Sequence, residues 1–136
     1  MNNEEISLVT KDNKDASELI RSFLAFCHCI DDVVDNDKEQ TDESIIKVVF
    51  DFTIALSVNP FYQANKGTLL PLILHGYSCW LDANKMEDSE DVKVRQSSDT
   101  LKGFYHEVVW HCALLCGGYD HWRAVTLAHR KYDYDH

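Results

Sequence analysis

The segment DASELIRSFLAFCHCIDDVVDN, Asp15 to Asn36, decides the fold of this chain, because it joins a helix start signal to a long apolar periodicity. Asp15 followed by Glu18 is typical of a helix N-cap with its return partner. Apolar residues then recur every three or four positions, which places them on one face of an α-helix. This apolar face comprises Ile20, Phe23, Leu24, Cys27 and Val34. The segment therefore predicts an amphipathic first helix that ends near Asn36.

Four further helical patterns follow, and no strand-like alternation competes with them. They cover SIIKVVFDFTIALSV (44–58), about 69–86, about 92–116 and DHWRAVTLAHRKY (120–132). NPFYQANKGTLLP (59–71) predicts a loop or short helix before the third helix, and Gly117 with Gly118 predicts the end of the fourth. Because the connections are short, we expect an all-α protein, an antiparallel bundle of about five helices.

Length and charge favour one soluble domain. We expect residues 1–14 to form a polar N-terminal tail and residues 15–136 to form a single helical-bundle domain. The formal net charge of −10 disfavours nucleic acid as a partner. No apolar run is long enough to span a bilayer, and the polar N-terminus lacks the apolar core of a signal peptide. We therefore expect no membrane association, a cytoplasmic location and reduced cysteines.

Three aspartates, Asp31, Asp32 and Asp35, interrupt the apolar pattern of the first helix. At 100° per residue, Asp31 falls inside the apolar arc, His28 and Asp35 lie at its edge, and Asp32 points further outward. Carboxylates that crowd together near a core have raised pKa values unless a cation compensates them. Two interpretations stay open. Either the group faces inward and holds a cation, or the helix ends near Val34 and its aspartates are solvated.

A second polar pair, Asn84 and Glu87, continues the buried side of the third helix, whereas Asp82 points away from it. If the two helices pack together, their oxygen atoms suit Mg²⁺ or Mn²⁺. Such an ion binds and polarises a phosphate or diphosphate, so hydrolysis of a nucleotide-like substrate is one hypothesis. Asn84 and His28 would contact the substrate. The metal ligands would be Asp31, Asp32, Asp35 and Glu87.

The second predicted helix is apolar on two faces. One face forms a core stripe of Ile45, Val48, Val49, Phe52 and Leu56, and the other carries Ile46, Phe50 and Ile54. A helix of this kind lies either at the centre of a bundle or at a subunit interface. We expect a homodimer in which the second face forms the contact.

Two short motifs resemble those of known metal-dependent enzymes. DDVVD (31–35) resembles the DDxxD motif with which class I isoprenoid synthases hold magnesium and a diphosphate. The pairs Asp32 with Asp35 and Asn84 with Glu87 resemble the ExxE and ExxD patterns of all-α nucleotide pyrophosphatases of the MazG and dimeric dUTPase type. The second resemblance implies a small dimeric bundle that carries acidic pairs on two helices.

A longer resemblance runs from about residue 20 to about residue 118. IDDVVDND, NPFYQAN, LLPLILHGYSCWLDANKME and LLCGG, in this order, are similar to a family of small helical proteins of unassigned function that tailed bacteriophages encode. This resemblance implies a phage accessory protein in the host cytoplasm. The alternative hypothesis is a non-catalytic acidic phage protein that binds and inhibits a host protein; the small size of the chain favours it, whereas inward carboxylates favour the enzyme.

Overall fold

A computed structural model describes residues 1–36 and 40–135, with side chains as far as residue 131. Within these residues the chain forms helices and turns and no strand, which confirms the predicted all-α class. Six helices occur there, where about five were predicted. They are α1 (Asn3–Thr10), α2 (Lys14–Val34), α3 (Asp42–Val58), α4 (Pro60–Met86), α5 (Val92–Lys102) and α6 (His106–Asp135), with a 3₁₀ turn at Gly103–Tyr105 before α6.

The additional helix, α1, corrects the predicted polar tail. Asn2 caps it, because its side chain accepts the backbone N–H of Glu5 while the Glu5 side chain accepts that of Asn2. Ile6 and Val9 are buried against the rest of the protein, mainly α6. The segment is polar by composition, but two apolar side chains three positions apart are enough to dock one helical turn. Residues 3–10 therefore belong to the domain.

The core forms where α2 meets α1, α3, α4 and α6. Asn13, rather than Asp15, is the N-cap of α2, and its side chain accepts the N–H of Ala16 at 3.0 Å. The apolar face of α2 is buried through its first three turns, at Leu19, Ile20, Phe23 and Leu24. Val34, which the sequence placed on that face, is 54% exposed because the last turn of α2 extends beyond the packed core.

α3 packs along one narrow edge only. Phe52 is its only buried side chain, and its ring lies against Phe23 and Phe26 of α2. The predicted second face is open to solvent, with Ile46 67%, Phe50 62% and Ile54 43% exposed. This placement excludes a central position for α3, one of the two alternatives that the sequence left open.

α4 begins at Pro60, where the sequence predicted a loop up to about residue 69. Asn59 caps the helix by accepting the N–H of Tyr62 at 2.9 Å, and proline is favoured at the first helical position because its missing N–H has no partner there. Pro60 thus starts a helix. No single helix in the described part of the chain is long and apolar enough to cross a membrane; α3 and α4 meet that test only as a pair, and they are bent by 94°.

Gly103 and Gly118 interrupt the helical segment from residue 92 to residue 135. The sequence predicted one helix over about 92–116 and another over 120–132. α5 ends at Lys102, and a tighter turn begins at Gly103 before α6 starts. α6 itself is broken at Gly118, whose φ of 83° and ψ of −173° are open to glycine alone. Gly117 must also lack a side chain, since a Cβ there would lie 2.2 Å from the ring of His121. The break turns the second part of α6 back onto α1.

Candidate functional site: an aromatic cavity between α2, α4 and the Gly103–Tyr105 turn

A cavity of about 360 Å³ lies between the second half of α2, the second half of α4 and the turn that precedes α6. Gly76 of α4 faces this turn, and a Cβ at this position would make ordinary van der Waals contact, 3.4 Å from the Cα of Tyr105. Gly76 and Gly103 both line the cavity. Its wall includes Phe23, Phe26, Cys27, His28, Asp31, Ile73, Tyr77, Trp80, Lys102, Tyr105 and His106.

Aromatic rings make up much of this wall. Phe26 meets Tyr77 edge to face, with ring centroids 6.4 Å apart, and His28 meets Tyr105 in the same way at 6.5 Å. Edge-to-face contacts are a preferred arrangement of aromatic rings. The aromatic part of the cavity wall comprises Phe23, Phe26, Tyr77, Trp80 and Tyr105.

Asp31 is the aspartate of α2 that faces this cavity. Its side chain is half-buried, and the indole Nε1 of Trp80 lies 3.4 Å from its Oδ1. A contact of this length is a weak hydrogen bond, which leaves the carboxylate with capacity to accept others. His28 also lines the cavity, although most of its side chain is exposed.

The other two aspartates have different environments. Asp32 is half-buried and accepts a hydrogen bond of 3.0 Å from Nε2 of Gln40, which ties the end of α2 to the segment before α3. Asp35 is the C-cap residue of α2 and is exposed. The helix does end at Val34, as the solvated interpretation predicted, yet Asp31 faces inward. The three carboxylates therefore do not form one inward group.

Glu87 and Lys102 form an ion pair beside the cavity. The hydrogen bond to Glu87 is the largest cause of a raised pKa at Lys102; the negative charges of Asp31 and Asp35 raise it further, and partial burial opposes them. The carboxylates of Asp31, Asp35 and Glu87 thus all act electrostatically on the same group, the ammonium of Lys102. Asn84 is half-buried on α4 and does not line the cavity.

These positions bear on the expected Mg²⁺ or Mn²⁺ site. Within residues 1–36 and 40–131, no three His, Cys, Asp or Glu side chains are grouped so that they could hold a metal ion. The sequence suggested a metal ion to balance the negative charge of these carboxylates. The ammonium of Lys102 supplies part of that positive charge. The metal site at Asp31, Asp32, Asp35 and Glu87 stays a prediction.

Cys27 adds a neutral group to the wall. Burial raises the pKa of its thiol to about 12, so that the thiol is protonated at neutral pH. Burial also raises the pKa of the neighbouring Tyr77, and the charge of a Cys27 thiolate would raise it further. Besides the imidazoles of His28 and His106, the cavity wall in the described structure carries one carboxyl side chain, Asp31, and one amine, Lys102.

Sequence reasoning placed Asp31 and His28 near a site but did not identify the residues opposite them. Lys102 and Tyr105 reach the cavity because the predicted fourth helix breaks at Gly103. The signal that was available is the pair Gly76 and Gly103, which lie within helical patterns where glycine costs about 1 kcal/mol relative to alanine. A glycine in that position often marks a close approach or a break.

No sequence profile of a protein family, no curated protein and no solved structure matches this chain. The resemblances to a bacteriophage protein family, to all-α nucleotide pyrophosphatases and to isoprenoid synthases stay predictions. Any functional proposal therefore depends on the geometry of the chain itself.

Proposed function

We propose that this protein binds a small organic molecule in the cavity between α2, α4 and the Gly103–Tyr105 turn. The observation that carries the proposal is a cavity of about 360 Å³ with aromatic walls and two charged side chains, Asp31 and Lys102. Ligand sites combine apolar walls with a few polar groups and have volumes of about 300–1,000 Å³. Ordinary protein cores, by contrast, contain few voids larger than a water molecule.

The chemistry of the wall favours binding over covalent catalysis. A thiol with a pKa of about 12, such as that of Cys27, is a poor nucleophile at neutral pH. The carboxylate and the ammonium can instead orient a ligand whose apolar part contacts the rings. The protein is then a receptor or carrier for that ligand.

A matched pair of glycine substitutions tests the proposal. Gly103 lines the cavity and Gly67 lies on the exposed side of α4, and a Cβ at either site would meet no atom within 4 Å. The parent and both variants, Gly103→Leu and Gly67→Leu, are screened against a library of small fragments by thermal shift and two-dimensional NMR. We expect some fragments to shift the NMR resonances of cavity residues in the parent and in Gly67→Leu. These fragments should bind Gly103→Leu at least tenfold more weakly than they bind the parent. Equal binding by all three proteins would refute the proposal.

A metal-dependent phosphate or diphosphate hydrolase is the second candidate. It is favoured by the convergence of Asp31, Asp35 and Glu87 on Lys102, since an ammonium can bind a diphosphate while carboxylates hold the metal ion that polarises it. The test is the melting temperature with Mg²⁺ or Mn²⁺, for the parent and for an Asp31→Asn, Asp35→Asn double variant, together with nucleotide turnover. A parent protein that neither ion stabilises and that turns over no nucleotide would rule out this candidate.

We further propose that α3 pairs with the α3 of a second copy, through Ile46, Phe50 and Ile54. The exposed apolar side chains of α3 offer on the order of 500 Å² per protomer, or about 1,000 Å² for the pair, which is near the lower limit for a specific interface. An antiparallel arrangement centred on residue 52 would place Phe50 opposite Ile54 of the second copy. It would also keep the acidic first turns, Asp42 and Glu43, at opposite ends. A host protein bound at this face is the alternative outcome.

The five cysteines support the predicted cytoplasmic location, which is the host cytoplasm if the chain is phage-encoded. All five are free thiols, and Cys29, Cys79 and Cys112 are buried. Free buried thiols are typical of a reducing compartment, whereas secreted domains of this size commonly pair their cysteines.

A further inference from the structure

We infer that the ligand of the cavity is an organic cation, an ammonium group carried on an aromatic or apolar body. This inference rests on the proposed binding function and specifies the chemical class of the ligand. It is drawn from the wall of the cavity and from the charges around it.

The aromatic wall suits a cation. The faces of Trp, Tyr and Phe rings carry partial negative charge and attract an ammonium group placed within about 6 Å of the ring centroid. Trp80, Tyr77 and Tyr105 all line the cavity, together with two phenylalanines. The interaction is strongest where water is excluded.

Asp31 supplies the counter-charge inside this aromatic wall. Its carboxylate is half-buried, and its contact with Trp80 Nε1, at 3.4 Å, leaves acceptor positions free. A carboxylate at the edge of an apolar cavity is stabilised when an opposite charge lies within about 4–6 Å. An ammonium group seated between Asp31 and the rings would meet both requirements.

The surrounding charges favour a cation over an anion. Lys102 is the ammonium in the wall, but it is paired with Glu87, and Asp31 and Asp35 act on it as well. Three carboxylates therefore surround one positive charge, and the chain as a whole carries a formal charge of −10. A field of this sign attracts cationic ligands and repels anionic ones.

The test uses three probes with the same ring and different head groups: 2-phenylethylammonium, 2-phenylethanol and 3-phenylpropionate. Binding is measured by titration calorimetry and by NMR shifts of cavity residues, at a pH of about 8, where an ordinary imidazole is neutral. We expect the ammonium probe to bind at least tenfold more tightly than the other two.

Substitutions with opposite expected signs sharpen the test. Asp31→Asn should weaken binding of the ammonium probe about tenfold, whereas Asp82→Asn, which removes the same charge at an exposed position of α4 outside the cavity, should leave it within about twofold. Lys102→Gln removes the competing positive charge and should strengthen binding. The melting temperature of each variant shows whether it is folded.

The outcomes separate this inference from the proposed function. If 2-phenylethanol or 3-phenylpropionate binds in the cavity as tightly as the ammonium probe, or if Asp31→Asn binds that probe as well as the parent does, the cavity is a ligand site of another class and the cation inference is overturned. If no probe moves a cavity resonance and the wider fragment screen also gives none, the proposed function itself fails.

Discussion

Phe26 of α2 stacks on Phe52 of α3, with ring centroids 4.5 Å apart and ring planes inclined by 25°. Phe26 also meets Tyr77 of α4 and lines the cavity. One side chain thus joins the single buried residue of α3 to the wall of the proposed ligand site. Because α3 has no other buried side chain, this contact largely decides how firmly α3 is held.

Two phenylalanines of α3 provide a matched test of this packing. We expect Phe52→Ala to lower the free energy of unfolding by about 3–5 kcal/mol, because it removes a buried ring and leaves a cavity. Phe50→Ala should lower it by less than about 1 kcal/mol, since this ring is 62% exposed. Urea unfolding at low protein concentration measures both values. Similar losses for the two variants would contradict the packing described for α3.

The exposed face of α3 gives a prediction about assembly. We expect the parent to self-associate and Phe50→Glu to be monomeric at the same concentration, because the substitution places like charges at the centre of the proposed α3 pair. Leu8→Glu is the control, since Leu8 is as exposed as Phe50 but lies on α1. Sedimentation velocity over a range of concentrations measures the mass. A parent that stays monomeric at every concentration would exclude the homodimer.

Two glycines are expected to respond to alanine in opposite directions. Gly118→Ala should destabilise the protein by about 1–3 kcal/mol, because a backbone with φ of 83° and ψ near 180° is strained for any residue with a Cβ. Gly67 is helical and has open space around it, so Gly67→Ala should stabilise the protein by up to about 1 kcal/mol. Thermal melts of both variants check the two signs. A stabilising Gly118→Ala would contradict the break in α6.

His111 is expected to lower the free energy of unfolding in acid. Its Nε2 lies 2.9 Å from Oγ1 of Thr68, and burial lowers its pKa below the ordinary value of 6.5. The unfolded chain therefore binds a proton at higher pH than the folded chain does, so this residue destabilises the fold as the pH falls below about 6.5, by at most about 1.4 kcal/mol per pH unit.

The measurement is the difference in unfolding free energy between pH 7.5 and 5.5. We expect this loss to be smaller in His111→Gln than in the parent. The same loss in His111→Gln and in the parent would show that His111 does not carry this dependence.

The helical class could be predicted because long apolar periodicities leave few alternatives. The first predicted helix, from Asp15 to about Asn36, agrees with α2 (Lys14–Val34) to within about two residues at each end, because its apolar stripe is long. α1 was missed because a helix of eight residues is set by docking of its two apolar side chains, which local sequence does not reveal. Pro60 was read as a break although proline is equally a start signal, and Asn59 before it decides between the two.

Only the α2 side of the candidate site, at Asp31, could be predicted from the sequence. The angular position of Asp31 placed it inward, and that is where it lies. The same calculation placed Asp35 at the edge of the core, but a helical angle does not say how far the neighbouring helices extend, and they end before Asp35 becomes buried. Lys102 lies opposite Asp31 because of a turn at Gly103, and no periodicity predicts how α5 and α6 are oriented after such a turn.

The break at Gly118 also affects the order in which parts of the chain can fold. It brings His121 to the carbonyl oxygen of Val9, 2.8 Å from Nε2, across a separation of 112 residues. α1 leaves the ribosome well before α6, its main packing partner. Ile6 and Val9 therefore lack most of their packing until α6 has been synthesised, and the docking of α1 on α6 is a late step of folding.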